Sequence, residues 1–249
     1  MSAILRSGRL LAGALLLLAP AAASAQLPAA ADLMAAYNKA IGGEAAFAKY
    51  QGMHVTGSFA IPSMGMSAGM EVYSARPNKM LTVSSIPGMG EMRQGFDGET
   101  AWGIDPMRGA RILQGPELAM IQDQAGFDAD LRVMSKFKSA ETVEKTTLGG
   151  QECYKVKLVW LSGRESYDCY SAANGLLVAR IENQESDMGR IEATTLLQDY
   201  TDFGGIMIPK KSVVTAMGME QVLTIEKVEF DAVDAAKFEL PAEIKALKK

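Results

Sequence analysis

Residues able to do chemistry are sparse in this sequence. His54 is the sole histidine, which excludes a His-rich metal site and weakens any Ser-His or Cys-His arrangement. It lies on the more polar side of an alternating run, with Thr56 and Ser58, where a surface or hydrogen-bonded histidine is the ordinary outcome. The carboxylates Asp97 and Glu99, or Glu182 and Glu185, fall on turns and strands at spacings without an acid–base signature, so a carboxylate-only hydrolase has no positive support. No Gly-x-Ser-x-Gly, His-Glu-x-x-His or phosphate-cradling glycine loop occurs. These absences read as a protein that is not an enzyme and uses neither metal nor cofactor.

Cys153 and Cys169 are the only cysteines. They fall on two expected strands, Cys153 to Trp160 and Arg164 to Tyr170, joined through Ser162-Gly163. Both positions are odd-numbered, so symmetric pairing about Ser162 puts both side chains on one face, slightly staggered. That favours a disulfide over two half-buried thiols in an exported chain. No Cys-x-x-Cys motif suggests a redox-active pair.

Export is expected from residues 1–25. Arg6 and Arg9 form a positive start, Leu10 to Ala19 an apolar stretch too short to span a bilayer comfortably, and Ala23-Ser24-Ala25 a cleavage site. The next residue is Gln26 rather than Cys, so no N-terminal lipid of the bacterial lipoprotein type is expected. Removing 25 residues from 249 leaves 224, enough for one buried domain spanning 26–249. Two of the 25 basic residues and none of the 29 acidic ones leave with the leader, giving a net charge of −6. A mildly acidic surface argues against nucleic acid and against a large basic patch for anionic membrane.

The elements that must position any site begin with a helix. Leu33, Met34, Tyr37, Ala40 and Ile41 recur at helical spacing until Gly42-Gly43, and Glu44 to Tyr50 adds a turn or two. From Met53 the period falls to 2, with Met53, Val55, Phe59 and Ile61 on one face. Strands follow at Met66 to Ala75, Lys79 to Ile86, Gly88 to Phe96, Thr100 to Ile104 and Arg111 to Leu113, bounded by Pro, Gly or Asn. A helical interruption is expected from about Glu117 to Lys136, with Gly126 as a break. Strands then return at Ala140 to Leu148, Cys153 to Trp160, Arg164 to Tyr170, Leu176 to Gln184, Ile191 to Tyr200, Met207 to Ala216 and Met219 to Phe230. Asn174-Gly175 is the strongest short-loop signal among them. The fold class is mainly β (α+β). An antiparallel sheet of about eleven strands cannot stay flat with both faces wet; it must curl and create a concave apolar face. The few helical pieces cover that face without filling it, leaving room for a ligand.

Methionine is the compositional oddity, with 16 in the chain. IPSMGMSAGM and IPGMGEM place several in glycine-rich hairpin tips, which favours an adaptable apolar lining slightly over plain core filling. If the even-numbered face of the early strands lines the concavity, Met66, Met70, Val72, Met80 and Met92 point inward. Phe96 and Trp102 would join them, although Trp102, a large aromatic between two turns in FDGETAWGIDP, also reads as a core anchor of the curved sheet.

Several of these blocks carry a family likeness. The chain resembles exported outer-membrane lipoprotein-sorting proteins with the LolA-like fold, a group that includes sensors of the MucB and RseB type. The likeness rests on the helix ending in Gly-Gly, FDGETAW at Phe96 to Trp102, YDCYSAANGLL at Tyr167 to Leu177, DYTDFGGIMIPKK at Asp199 to Lys211, and the closing KFELP at Lys237 to Pro241. It implies an unclosed barrel of about eleven strands with helices as a lid over an apolar cavity for acyl chains. A carrier of this kind is expected to hold its lid with a buried arginine; Arg76 and Arg93 are the candidates on the early strands. The expected function is a periplasmic, monomeric binder or carrier of acyl chains or lipidated proteins, in transient contact with envelope membrane proteins. The alternative is a protein–protein interaction module or the partner of an envelope-stress sensor.

Overall fold

The computed structural model describes residues 26–186 and 189–248; the expected leader lies outside them. Two helices open the chain, α1 (Ala30–Ala40) and α2 (Gly43–Phe47). Six strands follow: β1 (Gly52–Ile61), β2 (Met66–Ala75), β3 (Lys79–Ile86), β4 (Gly90–Phe96), β5 (Ala101–Asp105) and β6 (Gly109–Ile112). After α3 (Gly115–Gln124) come β7 (Phe137–Leu148), β8 (Gln151–Trp160), β9 (Glu165–Ser171) and β10 (Leu177–Ser186). The last strands are β11 (Gly189–Phe203), β12 (Ile206–Ala216) and β13 (Met219–Phe230), and α4 (Ala242–Leu247) ends the chain. All thirteen strands form one antiparallel sheet, where about eleven were expected. Its order is β6-β5-β4-β3-β2-β1-β13-β12-β11-β10-β9-β8-β7, so two meanders join at the β1–β13 pair. Among the described residues the edge strands β6 and β7 do not pair, and the barrel stays open.

Period-2 alternation puts Met53, Val55 and Phe59 on the concave face of β1, and cross-strand pairing carries that face through the sheet. Val55 pairs with Val72, and Met80 with both Ser74 and Phe96. The principal core lies where α1 and α2 cover the concave side of β7–β12, with Met34, Tyr37 and Phe47 packed on Val156, Leu158, Tyr170 and Ile206. The α1–α2 junction is pinned to the β11–β12 turn: the amide of Met207 donates to the carbonyl of Ile41 at 3.1 Å. Gly42 takes φ 112° there, and a Cβ would strike the Gly205 carbonyl.

The helical interruption is shorter than its sequence suggests. The helix ends at Gln124, and Gly126 takes φ 105° with Pro77 O only 2.9 Å from where a Cβ would sit. Residues 126–136 then wind as single turns, because Phe127, Leu131 and Phe137 must all reach the core beneath α1 and α2. This segment carries the chain from the β6 edge to the β7 edge across the concave face.

The convex face has its own cover, which sequence reading missed. Residues 233–247, including α4, lay Phe238 and Ile244 on Tyr73, Leu81 and Trp102. Gly95 is the floor beneath the indole; a Cβ there would sit 2.5 Å from Trp102. Cys153 and Cys169 are bonded on the convex face of β8 and β9. Lys155 is paired with Cys169 and Cys153 with Ser171, the staggered relation expected of the hairpin.

Candidate functional site

Between the concave sheet and its covering helices lies a cavity of about 280 Å³. Its roof is Tyr37 of α1, Ile41 just after that helix, Phe47 of α2 and Phe127 of the crossing segment. Its floor is Met53, Val55, Met70 and Val72, closed from the side by Leu197, Met207, Leu223 and Ile225. Alternation on β1, β2 and β13 puts only their apolar positions on this wall, which is why the lining is aliphatic and methionine-rich.

Polar latches hold the roof down. Arg132 of the crossing segment is buried, and its Nε donates to Asp168 Oδ2 of β9 at 2.7 Å. Arg180 of β10 donates to the other carboxylate oxygen at 3.2 Å, and the Tyr170 hydroxyl donates at 3.2 Å. Burial pushes the Asp168 carboxyl up and the Arg132 guanidinium opposes it. Burial also drives the phenols of Tyr37 and Tyr200 well above their ordinary range. Asn38 of α1 exchanges two 2.8 Å bonds with the main chain of Arg132, which tie helix and segment together. Lys136 donates to the carbonyls of Asp128, Ala129 and Leu131, and burial lowers its ammonium.

A second latch is built on Arg76 at the end of β2. It donates to the carbonyls of Phe47 and Tyr50 at 3.2 and 3.3 Å and pairs with Asp128 at 2.6 Å. At the ends of α3, Arg111 holds Glu117 at 2.9 Å and Arg164 holds Asp123 at 3.0 Å. Of the two arginines proposed for the lid, Arg76 meets it. Arg93 instead faces Glu91 and Glu243 near α4. Arg132, the buried one, leaves only one trace in the sequence, a lone cation inside the apolar run Leu131 to Met134.

The expected lining residues divide. Met70 and Val72 line the cavity, and Met80 lines a chamber beside it. Phe96 is buried under α3 with Leu113 and Ile121, and Met66 packs with Phe59 and Ile86 farther along the concave face. Met92 is exposed near the hairpin tips, beside Met89 and Met107. Trp102 lies on the opposite face. Phe96 pairs with Ala101, so the even-numbered face inverts at β5 and the indole turns toward α4. His54 is on the convex side too, 2.9 Å from Glu71 and stacked on Tyr73. Among the described residues no group of three His, Cys, Asp or Glu is placed to hold a metal ion, and no helix is long and apolar enough to cross a membrane.

No family model matches the sequence, and no curated protein does. Solved structures do match its backbone. A DUF1329 family protein from Desulfovibrio piger superposes with a TM-score of 0.58 at 12% identity, over 84% of this chain and 95% of its own. A LolA superfamily protein from Nitrosomonas europaea gives 0.55 at 13%, over 86% and 99%. A Vibrio parahaemolyticus domain named for outer membrane lipoprotein sorting gives 0.57 at 12%, over 88% and 98%. The chain has the LolA-like fold.

Proposed function

We propose that this chain is an exported, non-catalytic carrier of acyl-chain ligands, taking up lipidated proteins or other molecules with a hydrophobic tail in the periplasm. The observation that carries the reading is the apolar cavity beneath a roof fastened by separate polar latches. At about 30 Å³ per water-sized group, the 280 Å³ cavity holds roughly nine methylenes. Their burial supplies roughly 7 kcal/mol at about 0.8 kcal/mol each. The latches are ion pairs and hydrogen bonds that water replaces when the roof lifts, so release needs no chemical step. A structural likeness to a lipoprotein-sorting domain supports the same reading through the fold. Methionines stand exposed at four hairpin tips on one end of the sheet, at Met64, Met89, Met107 and Met217. They suit transient contact with an envelope partner.

The test is native mass spectrometry of protein purified from the cell envelope, followed by displacement of a fluorescent fatty-acyl probe. Co-purified lipid and saturable displacement are expected. Protein that carries no lipid and ignores the probe refutes the carrier.

A further inference from the structure

We infer that acyl tails enter the cavity through the sheet: an unpaired seam between β12 and β13 is its mouth, and Tyr50 is the bolt across it. This rests on the carrier reading and says where the ligand passes. From their shared turn, β12 and β13 pair only as far as Lys211–Thr224. Beyond that pair, β12 runs back through Pro209 to Ile206 paired to β11 alone, and β13 runs on to Phe230 paired to β1 alone. Local chemistry parts the strands there. Pro209 has no N–H to give a neighbour, so β12 behaves as an edge at that point. Asp199 takes φ 57° and, with Lys210, drops out of the β11–β12 ladder. On the other side, Glu226 is an extra residue between the Gly57–Ile225 and Thr56–Lys227 pairs. Such a bulge bends its strand away from the regular course of the sheet.

The apolar cavity lies directly behind the seam. Met207, Ile208, Pro209 and Lys210 on one lip, and Leu223 and Ile225 on the other, all line it. Each of these residues is half-buried rather than buried. Backbone groups along an unpaired stretch need water as a partner, so the gap is a wet opening and not a sealed wall. The roof meets it through Tyr50, between α2 and β1. The Tyr50 ring stacks on Phe230 at 4.1 Å, at the β13 end of the seam. Its hydroxyl donates to the Gly204 carbonyl at 3.0 Å, in the β11–β12 turn. Gly204 lies so close that a Cβ there would sit 2.6 Å from the Tyr50 oxygen. Water can replace that exposed hydrogen bond, whereas the far side of the roof is held by the buried Arg132–Asp168 pair. The weaker side opens first. A tail therefore enters where Tyr50 lets go, while the Arg132 side stays latched.

The experiment follows the association of cis-parinarate, a slim fluorescent fatty acid kept below its aggregation concentration, with the full protein by stopped flow. Ile208→Cys and Lys227→Cys together place thiols opposite each other when the Lys211–Thr224 register is extended across the seam; Cys153 and Cys169 stay bonded to each other. Bridging the new pair with a short bismaleimide should slow association at least about tenfold relative to the unbridged double variant. Tyr50→Phe keeps the ring stack, loses the bond to Gly204, and tests the mouth even where the bridge fails to form. It should speed association about fivefold, the weight of one neutral hydrogen bond. Dissociation should rise by the same factor and leave the affinity unaltered, since Tyr50 does not line the cavity. Arg132→Met should speed association less than Tyr50→Phe does. An unslowed bridged protein, unchanged rates in Tyr50→Phe, or a larger gain from Arg132→Met overturns the inference. Failure of the unaltered protein to bind the probe overturns the carrier reading itself and this inference with it.

Discussion

Replacing Arg132 by methionine removes the cation from the most buried ion pair in the described structure. Its partner Asp168 is then left with Arg180 at 3.2 Å and the Tyr170 hydroxyl, and the side chains of Arg132 and Asp168 are only 2% and 1% exposed. Breaking one side of such a pair costs about 3–5 kcal/mol, because the surviving charge stays desolvated. Arg180 still neutralises Asp168 in part, which places Arg132→Met near about 3 kcal/mol. The Asn38 bonds reach the main chain of residue 132 and survive. The loss should therefore concentrate in side-chain anchoring of residues 126–136. Guanidinium unfolding measures the total, and hydrogen exchange locates it: amides of 126–136 should open far more readily while the central strands β1, β2 and β13 follow only the global change. A loss under about 1 kcal/mol, the range of exposed pairs, or exchange unchanged in 126–136, would refute the latch.

Three further outcomes are expected. Binding of an acyl ligand should shift the emission of Trp160, which walls the chamber beside the apolar cavity, and not that of Trp102, which packs under α4; Trp160→Phe should abolish the shift and Trp102→Phe keep it. The bond between Cys153 and Cys169 closes a loop of 16 residues, worth about 3 kcal/mol at most. The β8–β9 ladder already restrains that loop, so reduction should lower the unfolding free energy by less, and two free thiols in freshly exported protein would contradict the bond. The hydrogen bond from Tyr73 lowers the Glu71 carboxyl below its ordinary 4.5, while burial first and then the same pairing lift Tyr73 to about 12. A depressed carboxyl stabilises the fold above its unfolded value and loses that contribution as pH falls through the folded one. The wild type should thus melt above Glu71→Gln at neutral pH, with the gap closing below pH 4.5; a gap constant into that acid range excludes the effect.

Local pattern alone was enough for the strands and for α1, though not for the extent of α3 or for α4. Period-2 alternation bounded by Pro, Gly and Asn marks the strands, and helical spacing of Leu33, Met34, Tyr37 and Ile41 marks α1, since both signals live within a few residues of chain. The cysteine pair was legible for the same reason: one hairpin and one turn fix its face. Faces across the sheet were not, because they depend on register at each turn. Phe96 pairing with Ala101 inverts parity and sends Trp102 outward, which no count along β4 or β5 reveals. The cover supplied by α4 was also hidden, since its short apolar stripe gains meaning only from the Tyr73–Trp102 surface it meets. Most dependent on tertiary structure is the polar machinery of the site. Arg132 and Asp168 stand 36 residues apart and Arg76 and Asp128 stand 52 apart. Proximity across the fold, and for Arg132 and Asp168 burial, turns these ordinary charges into latches, and both belong to the folded sheet rather than to any stretch of sequence.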